Sequence, residues 1–120
     1  MKEKTLVFGA STKSSRYSYF AVERLLATGR EVVAFGNKKG KISTVEIDTS
    51  LVPYRDIHTV TLYLNPNNQK PYYEYLISLK PKRIIFNPGT ENPEFYTLLK
   101  QNEIAYEVAC TLVLLSTNQY

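Results

Sequence analysis

Ten residues, Gly9-Ala10-Ser11-Thr12-Lys13-Ser14-Ser15-Arg16-Tyr17-Ser18, follow directly on the apolar run Thr5-Leu6-Val7-Phe8. A buried-strand pattern that runs into glycine, small hydroxylic residues and two cations, and then into an amphipathic helix, is how α/β proteins hold phosphate. The glycine lets the backbone turn sharply, and the unpaired amides at the helix start point at the anion. Arg16 sharpens the point, because a cation in a first helical turn costs about 0.3–1 kcal/mol unless an anion sits there too. A solvated arginine on an ordinary connection is the competing explanation, since surface positions tolerate costs of that size.

The loop is not a dinucleotide fingerprint. Against G-x-G-x-x-G the chain offers Gly9, Ser11 and Ser14, so serine replaces two of the three glycines. A second loop discriminates further. An NAD-binding domain places an acid after its second strand to hold the ribose diol, whereas here Phe35-Gly36-Asn37 runs into Lys38-Lys39-Gly40-Lys41. Three lysines suit a phosphorylated ribose, either the 3′-phosphate of coenzyme A or the 2′-phosphate of NADP, and they disfavour NAD. A solvated basic turn is the alternative.

Other chemistries find little support. One histidine and one cysteine cannot build a His/Cys metal cluster. His58 lies within an apolar strand pattern, as a structural histidine does. Cys110 just past the last strand reads as a small buried thiol, with a reactive thiolate as the competing explanation. Glu91 and Glu107 are candidate carboxylates at the ligand edge, without a spacing that makes them a catalytic pair. No catalytic residue is assigned.

The elements that would position these loops alternate along the chain. After the first strand, residues 17–28 carry apolar side chains at helical spacing and stop at Gly29. Glu31-Val32-Val33-Ala34-Phe35 reads as a second strand. Residues 36–54 are the least regular, with a short β-like piece at Val45-Glu46-Ile47 and a marginal helix near Ser50-Leu51. Residues 57–64 read as a buried strand stopped by Asn65-Pro66-Asn67-Asn68, and a helix is expected over 69–79 with Pro71 in its first turn. Arg83-Ile84-Ile85-Phe86 is a fourth strand. Asn92-Pro93-Glu94 opens another helix as cap, first-position proline and first-turn acid. Ala105-Tyr106-Glu107-Val108 is a fifth strand, and 111–115 is either a helical turn or an edge element. This order, without hairpin signals, predicts an α/β, Rossmann-like doubly wound parallel sheet of about five strands in a three-layer αβα arrangement. In such a sheet the loops at 9–15, 36–41, 64–68, 87–92 and after Val108 share the ligand edge.

The totals agree with one domain spanning 1–120. A chain of 120 residues buries roughly two-thirds of its unfolded surface, enough for one core without metal or disulfide. No apolar run approaches the ~20 residues of a membrane span, and the start Met1-Lys2-Glu3-Lys4 carries no signal-peptide segment, so a cytoplasmic location is expected. The net charge of +4 is spread along the chain. A small anionic ligand accounts for it without a nucleic-acid partner.

Taken in order, Gly9-Ala10-Ser11 with Arg16 and Ser18, Gly29-x-x-Val32, the basic loop, Asn65-Pro66, Asn87-Pro88-Gly89 and Cys110 resemble the small stand-alone CoA-binding domain proteins of bacteria. Their fold is similar to the CoA-binding domain of the succinyl-CoA synthetase α subunit, and the resemblance covers about residues 4–115. It implies a ligand of coenzyme A or an acyl-CoA. Gly9, Ala10, Ser11, Thr12, Lys13, Arg16 and Ser18 would sit at the diphosphate, and Asn37 and Lys38 at the ribose phosphate. Leu64, Asn65 and Pro66 would flank the adenine or pantetheine path, and Asn87, Pro88 and Gly89 would meet the thiol end. Lys38 stands where the family usually has proline, Thr44 where it has glycine, and Ala109 where it has arginine. The catalytic domains of the synthetase have no counterpart, so the resemblance implies a binder. An NADP-dependent oxidoreductase, or an interaction module using Tyr72-Tyr73-Glu74-Tyr75, are the alternatives, with a homodimer or a protein partner left open.

Overall fold

Lys4–Phe8 forms strand β1, buried from Thr5 onward. In this computed structural model residues 3–120 are described; Met1 and Lys2, read above as the lead into this strand, lie outside the described residues. β1 pairs in parallel with β2 (Glu31–Phe35) on one side and with β5 (Ile57–Leu62) on the other. β6 (Arg83–Phe86) and β7 (Ala105–Val108) continue the sheet in parallel beyond β5. These are the five strands expected from the apolar runs.

Two more strands correct that expectation. β3 (Gly40–Ile42) and β4 (Val45–Asp48) form an antiparallel hairpin, and β4 pairs in parallel with β2. The sheet therefore has seven strands in the order β3-β4-β2-β1-β5-β6-β7. The hairpin turn is Ser43-Thr44, with Ser43 at a φ of 54°, a conformation that Asn or Gly ordinarily supplies. No helix forms at Ser50-Leu51, which is irregular backbone.

Strand alternation divides the core between two faces. Leu6 and Phe8 point to one face, with Val60, Leu62, Ile84, Phe86, Phe95 and Leu99. Val7 points to the other, with Val22, Leu25, Ala34, Ile42 and Ile47. The second face is covered by α1 (Tyr17–Ala27), whose buried residues Ser18, Ala21, Val22 and Leu25 form one stripe. Gly29 ends it with a φ of 79°.

The helix expected over 69–79 begins earlier and is broken. α2 (Pro66–Gln69) leads into a 3-10 turn at Lys70–Tyr72 and then α3 (Tyr73–Ser78). Pro71 has no amide to bond, which accounts for the tighter turn there. Tyr72, Tyr73 and Tyr75 all pack against the core. α4 (Pro93–Gln101) starts as expected, with the Asn92 side chain accepting from the Phe95 amide at 3.2 Å. The 111–115 run resolves to a helix, α5 (Thr111–Ser116), packed beside α1. Beyond it the Tyr120 ring lies between the guanidinium groups of Arg30 and Arg83, at 4.6 and 4.5 Å. No helix is long and apolar enough to cross a membrane among the described residues.

From β1 the chain winds one way to β2 and then crosses to β5 on the other side. That reversal opens a crevice over the carboxyl ends of β1 and β5.

Candidate ligand-binding site

The loop after β1 bends back over the end of β2. The amides of Gly9 and Ala10 both donate to the Phe35 carbonyl oxygen, each at 2.8 Å. Gly9 makes the bend with a φ of +102°, and a Cβ there would lie 3.1 Å from Leu64 Cδ2. Beyond the bend the Lys13 amide donates to Ser11 Oγ at 3.2 Å, and the Arg16 amide to the Lys13 carbonyl at 3.0 Å. Arg16 is the N-cap of α1, and its side chain makes no capping bond. The amides of Ser11, Thr12, Tyr17 and Ser18 have no partner among the described residues. Tyr17 and Ser18 open α1, where the macrodipole adds partial positive charge to such unpaired donors.

This loop walls a cavity of about 790 Å³ over the carboxyl ends of the central strands. Gly9, Ala10, Ser11, Thr12, Lys13, Arg16 and Ser18 line it from the first loop, Asn37 and Lys38 from the second. Leu64 and Asn65 line it from the third, and Pro88 and Gly89 from the fourth. Pro66 and Asn87 do not. Pro66 is the first residue of α2, behind the Asn65 cap whose side chain accepts from the Asn68 amide at 2.9 Å. Asn87 is buried and joins three segments. Its Nδ2 donates to Thr61 Oγ1 at 2.7 Å and to the Leu62 carbonyl at 2.8 Å, while its Oδ1 accepts from the Thr111 amide at 2.8 Å.

The lining also includes Ser15, Asn68 and Thr90, which fall within the expected ligand-edge loops without an assigned role, and Tyr17 and Tyr63, read as helix and strand. Tyr63 was hidden in a strand pattern that in fact stops at Leu62; past that point its amide still reaches the Phe8 carbonyl at 2.9 Å. Buried Gln69 holds the third and fourth loops together, donating from Nε2 to the carbonyls of Leu64 and Thr90 at 2.9 and 2.8 Å.

Electrostatically the cavity is one-sided. Lys13, Arg16 and Lys38 are exposed on its rim, and the ion pairs of the described residues all lie elsewhere. No Asp, Glu, His or Cys lines it among the described residues. Burial pushes the Tyr63 hydroxyl up to about 12, against a smaller downward pull from the Thr61 and Thr111 hydroxyls. Those two hydroxyls bond each other at 2.7 Å, and the Tyr63 oxygen has no well-aligned partner among the described residues.

The remaining titratable groups lie outside this lining. His58 bonds Thr59 Oγ1 at 2.8 Å and approaches Glu3 at 3.3 Å, within a second hollow of about 560 Å³. Glu107 pairs with Arg83 at 2.6 Å. Cys110 is a partly buried free thiol at the start of α5. Glu91 Oε1 accepts from the Gly89 amide at 2.8 Å. The cavity gathers cations, unpaired amides and hydroxyls, an arrangement that can hold an anionic group.

A doubly wound sheet with such a cavity at its switch point defines the nucleotide-binding α/β proteins. Residues 3–116 match the CoA binding domain, and the chain belongs to that family, which supports coenzyme A as its ligand. Among solved structures, an uncharacterized protein is 45% identical, covers 100% of this chain and 99% of its own, and superposes with a TM-score of 0.97. A Thermus thermophilus protein is 20% identical over 99% of this chain and 91% of its own, with a TM-score of 0.85. A hypothetical protein from Pyrococcus horikoshii OT3 is 23% identical over 93% and 80%, with a TM-score of 0.83; these two share the fold. No curated protein matches the chain.

Proposed function

We propose that this protein binds coenzyme A or an acyl-CoA through the loop after β1 and the basic loop after β2, without catalysis of its own. The observation that carries this reading is the set of cations Lys13, Arg16 and Lys38 around one cavity, without an ion-pair partner among the described residues, beside the unpaired amides of the α1 start. Arg16, Ser18 and the 9–13 loop would take the diphosphate, as helix starts do. Asn37 and Lys38 would meet the 3′-phosphate of the ribose. Leu64 and Asn65 would flank the middle of the ligand, and Pro88 and Gly89 the thiol end.

NADP is the nearest competitor, because it too carries a phosphorylated ribose for Lys38. Tyr72, Tyr73 and Tyr75 pack against the core, which favours a ligand reading over one in which that helix is a contact surface. The test is thermal unfolding with CoA, acetyl-CoA, NADP, NAD and ATP at one concentration. A ligand at ~100 times its dissociation constant adds about 2.7 kcal/mol of stability. A rise with CoA exceeding that with NADP, NAD and ATP is expected; a flat response to CoA would overturn the reading.

A further inference from the structure

The cavity is polar in the electrical sense, and this constrains the ligand's far end. Its cations stand on the first and second loops. At the opposite end the lining is Pro88, Gly89 and Thr90, and the charge next to them is the carboxylate of Glu91, held on the Gly89 amide at 2.8 Å. The Lys38 loop follows β2 and the Gly89 loop follows β6, three strand positions away in the order β2-β1-β5-β6. At ~4.8 Å per strand that is about 14 Å. The first loop, with Lys13 and Arg16, follows β1 two positions away, about 10 Å; both separations exceed the ~8 Å screening length at physiological salt, so the rim cations compensate the exposed Glu91 only weakly.

We propose that Glu91 sets acyl specificity at this site: it admits free CoA and thioesters of uncharged acyl groups, and disfavours those whose acyl group ends in a carboxylate. This inference rests on the CoA reading above. The phosphates of CoA go to the cation end, so its uncharged pantetheine arm must cross toward Gly89. A carboxylate at the tip of the acyl group would arrive beside Glu91. The Gly89 amide that could receive it is already bonded, and no Lys or Arg lines that end among the described residues. Like charges brought together without a counter-ion weaken binding and thereby confer selectivity.

Butyryl-CoA and succinyl-CoA test this by titration calorimetry, since their acyl groups match in chain length and differ in a terminal methyl against a carboxylate. Butyryl-CoA is expected to bind about tenfold tighter to the parent protein, a gap that shrinks as salt is raised. Glu91→Gln keeps an oxygen for the Gly89 amide and removes the charge, so the gap should narrow to about threefold or less. Equal affinities in the parent, or a gap that survives Glu91→Gln, overturns the role of Glu91 while CoA binding stands. If CoA and both thioesters fail to bind, the CoA reading itself falls, and this inference with it.

Discussion

A β-carbon on Gly36 would stand 2.3 Å from the carbonyl oxygen of Ala10. The loop that walls the cavity therefore lies on the end of β2 with backbone against backbone, pinned by the Phe35 carbonyl that takes the amides of both Gly9 and Ala10. Gly36→Ala must push this loop outward. The expected outcome is a loss of about 1–3 kcal/mol in urea unfolding, together with a weakened thermal response to CoA.

Asn87 offers a second test of what shapes the cavity from behind. Replacing it with alanine strips partners from Thr61, the Leu62 carbonyl and the Thr111 amide, all in the interior. Unsatisfied buried groups cost about 1–3 kcal/mol each, so Asn87→Ala should rank among the most destabilising single changes. Asn87→Asp, which keeps the acceptor for Thr111 and loses both donors, should also destabilise. Equilibrium denaturation of both variants checks this.

The cations separate by ligand. Arg16→Ala is expected to weaken binding of CoA and of dephospho-CoA alike, since both carry the diphosphate. Lys38→Ala should weaken CoA and leave dephospho-CoA nearly unchanged. Charge-assisted contacts of this kind are worth about 1.5–3 kcal/mol when desolvated and less on an open rim. A Lys38→Ala variant that loses both ligands equally would remove the ribose phosphate from that loop.

Alkaline pH should loosen the fold in a defined window. In the folded state burial raises Tyr63 to about 12, and Tyr75, whose hydroxyl donates to the Val52 carbonyl, likewise to about 12. The unfolded chain loses these protons near pH 10 and the folded one near 12, so stability is complete below 10 and falls as the pH rises through that interval. For Tyr63 each raised unit is worth about 1.4 kcal/mol; Tyr75 is more open to solvent, and screening makes its share smaller. Tyr63→Phe should flatten the fall between pH 10 and 12 and change neutral-pH stability little, because that hydroxyl has no well-aligned partner among the described residues.

What the sequence announced and what it concealed have physical reasons. The parallel strands were plain because both faces of each are covered, which leaves continuous apolar runs such as Leu6-Val7-Phe8. Asn92-Pro93 announced α4 because cap and first-position proline are local chemistry. The β3–β4 hairpin was concealed because Ser43 takes the positive φ in place of the usual Asn or Gly. The same limit applied at the cavity. Gly9, Arg16 and Lys38 were recognisable by type, whereas Tyr63 comes to the lining only because β5 ends one residue before it. Asn87 and Pro66 stood out as loop punctuation, and they occupy places behind the wall, where side-chain bonds and a helix start need them.

The first strand is also an innermost one, and this has a consequence for synthesis. β1 carries β2 on one edge and β5 on the other, so Leu6 lies beside both Val33 and Val60. A nascent chain that has emerged only through β4 holds β1 with one flank bare, an apolar edge open to pairing with other chains. Closing the long β1–β5 connection spends loop entropy before its contacts form, as non-local strand pairings do, and until it closes that edge stays open. A chain interrupted before Leu62 would be a substrate for chaperones or proteases rather than a smaller domain.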